Sequence, residues 1–135
     1  MLDLNVLLDV LQKREAHYPA SAAVLERALQ GEAQAAISAH AVTTIHYLVG
    51  RYADRASADR ALSWLLNHLH VCVVGRDELK QARALGWPDF EDAVVAAVAE
   101  GAGCTCIVTR NVKDFGDSSI PAWTPEEFLV HGKTM

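Results

Sequence analysis

The chain lacks the cysteine motifs, the long apolar runs and the basic leader that are typical of several common protein classes. It has only three cysteines, at positions 72, 104 and 106, and their spacing matches neither a zinc knuckle nor a redox C-x-x-C pair. We therefore expect free, buried thiols in a reducing compartment. No apolar run approaches the roughly 20 residues that span a bilayer, and no basic leader precedes the first apolar residues. These features predict a cytoplasmic protein.

The chain also lacks an excess of positive charge. Its 12 lysines and arginines against 17 acidic residues give a net charge of −5, so the molecule as a whole would not attract nucleic acid. Any nucleic-acid role must depend on a local basic patch or on metal ions. With 135 residues, of which 51% are hydrophobic, the chain is long and apolar enough to form a single domain over residues 1–135.

Short apolar segments alternate with amphipathic helical segments along the chain. The predicted strands are the first residues and the segments "AQAAISAH", "VCVV" and "CTCIVT"; a strand would place Cys104 and Cys106 on one face. The segment "PDFEDAVVAAVAEG" is apolar almost all round and predicts a buried helix, and "TPEEFL" predicts a helix capped by Thr124 and Glu127. This alternation predicts an α/β fold, a three-layer α/β/α sandwich with a central parallel sheet of four to five short strands.

Acidic residues follow the predicted strands or begin the helices beside them. They are Asp3, after the first strand, the trio Asp89, Glu91 and Asp92 at the start of the buried helix, and Asp114 after "CTCIVT". The carboxyl ends of parallel strands share one edge of a sheet, so these carboxylates should converge and repel each other. A divalent cation such as Mg²⁺ or Mn²⁺ would relieve that repulsion. Asp89 also fits the helix N-cap, and Asp9 is expected on a helix surface or in a supporting role.

At these positions the chain resembles the PIN domain family. The opening "DLNVLLDVL" resembles the D-T-N or D-S-N motif that follows the first strand of PIN domains. The segment "DFEDAVVAAVAEGAGCTCIVTRNVKDF" resembles the second signature, an acid at the start of a buried helix, then a strand and T-R-N/D-x-x-D-F. "IPAWTPEEFL" resembles the tail of VapC-like members, so the resemblance extends over essentially the whole chain.

The resemblance implies a metal-dependent endoribonuclease, of the kind found as the toxin of toxin–antitoxin pairs. Matched residue by residue, it implies catalytic and metal-binding positions at Asp3, Asp92 and Asp114, holding Mg²⁺ or Mn²⁺, with polar support from Asn5, Thr109 and Asn111. Arg110 and Lys113, which flank Asn111, are the candidates for binding a phosphate. The implied partners are the RNA substrate, a cognate antitoxin protein and a second copy of the chain in a homodimer.

Two features depart from the family pattern. Thr44, which is counted among the supporting polar residues, stands in "ISAHAVTTIHYLV" where PIN domains carry a glutamate, and His40 and His46 are the nearest residues that could substitute for it. Only two residues precede Asp3, which predicts either a very short first strand or a start that omits a few native residues.

One other interpretation is open, and two more are disfavoured by the residues present. Because the glutamate is missing, the chain could be a PIN-fold module that binds RNA or protein without cutting. A haloacid-dehalogenase-like phosphatase would need a second acid where Asn5 stands. A receiver domain would need a different arrangement of acids and a phosphate-contacting lysine.

Overall fold

The computed structural model describes residues 1–131. Seven α-helices lie in this part of the chain, α1 Leu4–Leu11, α2 Tyr18–Leu29, α3 Ala39–Tyr52, α4 Arg55–His68, α5 Arg76–Leu85, α6 Phe90–Gly101 and α7 Pro125–His131. Four short strands accompany them, β1 Ala36–Ser38, β2 His70–Cys72, β3 Ile107–Val108 and β4 Ala122–Trp123, and a 3-10 turn spans Val112–Phe115. None of these helices is long and apolar enough to cross a membrane.

Residues 1–3 join two pairs of parallel strands into one sheet. β1 pairs with β2, and β3 pairs with β4. Between the pairs, Leu2 bridges Val108 in parallel and donates its backbone N–H to Ala36 O at 2.8 Å. The sheet order is therefore β2, β1, residues 1–3, β3, β4, which gives the predicted parallel sheet with five short strands. The first strand is as short as the sequence predicts, a single bridging residue.

Alternate residues of the strands pack into two separate cores. Leu2, Ile37 and Val108 lie in the larger core with residues of α1, α2, α3 and α4. Their chain neighbours Met1, Ala36 and Ile107 lie in the other core with α5 and α6. Because neighbouring residues of a strand point to opposite faces, this division covers both faces of the sheet. The result is the predicted three-layer α/β/α sandwich.

Two predicted helices form as the sequence pattern indicates. Residues 93–99 of α6 are all buried, as expected for a helix without a polar face. At α7, Thr124 Oγ1 accepts a hydrogen bond from Glu127 N at 3.1 Å, and Glu127 Oε1 accepts one from Thr124 N at 3.0 Å. This reciprocal pair is the predicted capping box.

All three cysteines are free thiols, but Cys104 and Cys106 do not share one face as the sequence predicts. Cys72 and Cys106 are buried and Cys104 is half-buried. Cys106 packs in the larger core, whereas Cys104 packs against the other core. The expected shared face was wrong because β3 begins only at Ile107, so the strand alternation does not extend back to Cys104.

Candidate functional site

Three central strands end at the same edge of the sheet. Asp3 ends the first strand, Ser38 ends β1, and Thr109 follows β3. The chain continues from the first strand into α1 and from β1 into α3, so helix N-termini surround this edge. Residues 1–3 lie between β1 and β3, where the strand order reverses. Parallel α/β sheets bind ligands at such a position.

Asp3 is held in place by hydrogen bonds to both carboxylate oxygens. Its side chain is almost fully buried, with 6% of the residue exposed. Oδ1 accepts from Leu4 N at 2.8 Å, and Oδ2 accepts from Thr109 Oγ1 at 2.8 Å and from Asn5 Nδ2 at 3.3 Å. Burial raises the pKa of Asp3, while the Thr109 and Leu4 hydrogen bonds act against that rise.

The loop after β3 is fastened to the same residues. Thr109 Oγ1, which donates to Asp3, also accepts a hydrogen bond from Asn111 N at 3.0 Å. Asn5 Oδ1 accepts one from Arg110 N at 3.4 Å. Of the residues predicted as polar support, Asn5, Thr109 and Asn111 are thus connected to Asp3, directly or through one side chain, whereas the Thr44 hydroxyl donates to His40 O.

Asp92 lies in the first turn of α6, beside other carboxylates. Asp89 is the N-cap of this helix, as the sequence predicts, and its Oδ1 accepts from Asp92 N at 3.1 Å. Partial burial, followed by the charges of Asp89, Asp3, Asp114 and Glu91, raises the pKa of Asp92 to about 7. The fold therefore brings the negative charges of Asp3 and Asp114 to bear on Asp92, although the three residues are far apart in the chain.

A cavity beside α6 contains the two more exposed acids of the predicted set. Its lining residues include Asp89, Asp92, Asp114, Lys113 and Asp117. Lys113 places one positive charge among these carboxylates, where a phosphate would need it. Asp117 is an additional acid of this lining that the sequence patterns did not indicate. Only its position three residues after Asp114 could have suggested that it lies near the site.

The donor chemistry of this edge fits a divalent cation. Its available donor atoms are carboxylate and hydroxyl oxygens, which Mg²⁺ and Mn²⁺ prefer, and burial together with the neighbouring carboxylates raises the pKa of Asp92. Within residues 1–131, however, no three His, Cys, Asp or Glu side chains are placed to hold a metal ion jointly. Mg²⁺ commonly keeps several water ligands and binds through one or two carboxylates, so a site with few direct ligands suits it.

Thr44 and the two histidines near it differ in their relation to the acids. Thr44 Oγ1 donates to His40 O within α3 at 3.3 Å. His46 Nε2 lies 3.4 Å from Asp59 of α4, which gives it a partner on another helix. Burial is the main effect on the pKa of His40 and lowers it, whereas the negative charges of Glu91 and Asp3 act in the opposite direction. His40 Nδ1 is hydrogen-bonded to Ser38 Oγ at 2.9 Å, whereas its Nε2 is buried without a hydrogen-bond partner among residues 1–131.

Arg110 has a partner inside the protein. Its Nε lies 3.0 Å from Oδ2 of Asp9, a residue that is completely buried and not on a helix surface. The two atoms are close but not aligned for a hydrogen bond, so the contact is mainly coulombic. Of the two predicted phosphate-binding residues, Lys113 lines the acidic cavity, and the Arg110 guanidinium is engaged with Asp9.

Comparisons with known proteins give a family match and a shared fold. A family model described as a PIN domain matches residues 1–113, and no curated protein matches the chain. The structure of VapBC2 from Rickettsia felis, bound to a DNA fragment from its promoter, is similar with a TM-score of 0.69 and 19% identity, over 90% of this chain and 95% of that one.

Two further structures are similar over nearly their whole length. A toxin–antitoxin complex from Klebsiella pneumoniae has a TM-score of 0.66 and 24% identity, over 92% of this chain and 95% of that one. VapBC-1 from nontypeable Haemophilus influenzae has a TM-score of 0.69 and 14% identity, over 93% and 97%. At these identities the likeness establishes a shared fold.

Proposed function

This chain belongs to the PIN domain family, and on that premise we propose that it is a metal-dependent endoribonuclease acting as the toxin of a toxin–antitoxin pair. The observation that carries the proposal is the raised pKa of Asp92, about 7, caused by burial and by neighbouring carboxylates that include Asp3 and Asp114. A cation bound at this edge of the sheet would offset both the loss of solvent around Asp92 and the repulsion by its neighbours.

We assign Asp3, Asp92 and Asp114 as the acidic residues of the Mg²⁺ or Mn²⁺ site; since no three such side chains within residues 1–131 are placed to hold an ion jointly, one or two of them would bind it directly and the rest through water. When bound, such an ion supplies Lewis acidity and charge neutralisation for the addition of water across a phosphodiester bond. Thr109 and Asn5 fix the Asp3 carboxylate by hydrogen bonds, and Asn111 fixes Thr109. These contacts keep a donor oxygen in one orientation, which limits the reorganisation needed at the site.

Lys113 is the residue we assign to the scissile phosphate. It lines the same cavity as Asp92 and Asp114, and its ammonium group carries the only positive charge that residues 1–131 contribute to that lining. A lysine in this position would offset the charge that develops on the phosphate oxygens during hydrolysis.

The protein partners of this chain are proposed from its structural neighbours and from the family resemblance. The Klebsiella neighbour is a toxin–antitoxin complex, and the Rickettsia VapBC2 is bound to promoter DNA. We propose that this chain likewise binds a cognate antitoxin and, from the family resemblance, that it forms a homodimer. A small adjacent reading frame whose DNA-binding product co-purifies with the chain and suppresses its activity would identify the antitoxin. Light scattering of the purified chain would give its oligomeric state.

A second candidate function is a PIN-fold module that binds RNA or a partner without cutting. Thr44 favours it, because this position carries a glutamate in the family and the threonine hydroxyl is bonded to its own helix at His40 O. A site with one carboxylate fewer should hold a cation more weakly.

The experiment that separates these functions is cleavage of total cellular RNA with Mg²⁺ or Mn²⁺. We expect the wild-type chain to cut, Asp92→Asn to lose cutting, and Asp59→Asn, which removes an exposed carboxylate from α4, to cut like the wild type. Calorimetric titration with Mn²⁺ follows cation binding independently. Absence of both cutting and Mn²⁺ binding would contradict the nuclease and favour the binding module.

A further inference from the structure

RNA binding by this chain faces an electrostatic difficulty. The net charge is −5, and the proposed site is lined mainly by carboxylates. Arg110 is engaged with the buried Asp9, which leaves Lys113 as the nearby cation in that cavity. A polyanionic substrate therefore needs a basic surface close to the site.

One face of α5 provides such a surface. Arg76, Lys80 and Arg83 follow one another at intervals of four and three residues, which places them along the same side of the helix. All three are exposed, and within residues 1–131 none of them forms an ion pair. The aliphatic parts of the three side chains line one open, mostly apolar depression together with Leu79 and Phe90, so the charged groups lie at its rim.

Phe90 connects this depression to the acidic site. It is the first residue of α6 and half of its surface is exposed to solvent. Its chain neighbour Asp89 lines the acidic cavity together with Asp92 and Asp114. An exposed aromatic ring beside unpaired cations is the combination that single-stranded nucleic acids bind, with bases stacked on the ring and phosphates on the cations.

We propose that Arg76, Lys80, Arg83 and Phe90, here called the α5 surface, bind a single-stranded segment of RNA beside the acidic site. The three cations contact successive phosphates, and Phe90 stacks on an unpaired base. A paired base is already stacked within its duplex and does not offer its face to the ring, so the α5 surface selects single strands. The identity of the polymer rests on the proposed ribonuclease function.

The test measures binding of a fluorescently labelled, unstructured RNA oligonucleotide by anisotropy, in an Asp92→Asn background so that the RNA is not cut. We expect the triple change Arg76→Gln, Lys80→Gln and Arg83→Gln to raise Kd at least roughly tenfold. It should also reduce the slope of log K against log[salt] by about 2, since each lost phosphate contact on a single strand contributes about 0.7.

A matched control removes the same charge elsewhere. Arg51, Arg55 and Arg60 are exposed on α3 and α4, helices that pack on the other face of the sheet. The triple glutamine variant of these residues should change Kd less than about twofold. Phe90→Ala should raise Kd roughly 5- to 50-fold, whereas Tyr47→Ala, which removes an exposed aromatic ring from α3, should leave it unchanged.

The outcomes separate this inference from the proposed function. RNA binding that depends on the α5 surface, in a chain that never cuts RNA, would support the inference and contradict the nuclease. Cutting by the wild type together with equal effects of the two triple variants would overturn the inference and leave the nuclease intact. Equal affinity for duplex and single-stranded RNA, or no RNA binding at all, would also overturn it.

Discussion

The Asp9 carboxylate lies fully inside the protein, and two arginines supply its counter-charge. Arg110 Nε is 3.0 Å from Oδ2, and Arg14 Nη1 is 3.8 Å from Oδ1. Ser21 Oγ donates to Oδ2 at 3.1 Å. A buried charge that loses its partner is strongly destabilising, because the remaining charge stays out of water without compensation. Arg110 thereby ties the loop after β3, which carries Thr109 and Asn111, to α1.

Replacement of Arg110 tests this role at the level of a single residue. We expect Arg110→Met to lower the free energy of unfolding by about 3 kcal/mol. Arg14→Met should lower it by less than about 1 kcal/mol, since the Arg14 side chain is 40% exposed and its distance to Asp9 is longer. Urea denaturation gives both values.

A double variant completes this test. Asp9→Leu combined with Arg110→Met removes both charges, so it should lose less stability than Arg110→Met alone. If Arg110→Met costs no more than Arg14→Met, then Arg110 does not hold the charge of Asp9.

At the level of elements, the turn between α5 and α6 sets the distance from the α5 surface to the acidic site. Gly86 ends α5 with a φ of 69°, in the left-handed region, and its N–H bonds to Arg83 O at 3.2 Å. Glycine adopts this conformation without steric cost, whereas a side chain does not. Gly101 is the last residue of α6, without a positive φ.

A pair of alanine substitutions distinguishes these two glycines. We expect Gly86→Ala to reduce the free energy of unfolding by about 1 kcal/mol, because alanine is strained at positive φ. Gly101→Ala should be neutral or stabilising by several tenths of a kcal/mol, since it restricts only the unfolded chain. No atom outside the immediate chain neighbourhood lies within 4 Å of a Cβ built at either position, so backbone conformation alone separates them. Equal effects in thermal or urea denaturation would show that the Gly86 conformation is not needed.

At the level of the whole molecule, the crowding of carboxylates links stability to pH. The pKa of Asp92 is raised to about 7 in the folded chain, against about 3.9 in an unfolded chain. Between these pH values the folded state binds more protons than the unfolded state. The free energy of unfolding of the metal-free chain therefore falls as pH rises from about 4 to about 7. Asp92 is partly exposed, and with solvent screening we expect a loss on the order of 1–2 kcal/mol.

Added Mn²⁺ should reverse this trend. The cation competes with protons for the carboxylates, so its stabilising effect should grow as pH rises through about 7. Thermal denaturation at several pH values, with Mn²⁺ or with a chelator, measures both effects. Asp92→Asn removes the titrating group, so this variant should show a smaller pH dependence and a smaller shift with Mn²⁺. A wild-type chain with the same melting temperature in Mn²⁺ and in chelator at pH 8 would contradict the metal site.

Much of the fold follows from local sequence patterns. The buried α6 could be predicted because its apolar residues are contiguous, and the α7 capping box because its partners are three residues apart. β4 could not be predicted, since it has only two residues and exists through its pairing with β3. The shared face of Cys104 and Cys106 was predicted wrongly, because the start of a strand depends on pairing with another strand.

The sequence by itself determined the order of strands and helices, the family pattern and the position of each acidic residue relative to a strand end or helix start. These features depend on periodicity, caps and spacing, which act over a few residues. Only the tertiary structure decided that Thr109 donates a hydrogen bond to Asp3, that Asp9 forms an ion pair with Arg110, and that Phe90 lies beside the cations of α5. The first two contacts join residues about one hundred positions apart, and the third depends on how the turn at Gly86 packs α5 against α6. Burial removes water as the alternative partner of a polar group, and only the folded chain determines which groups are buried together.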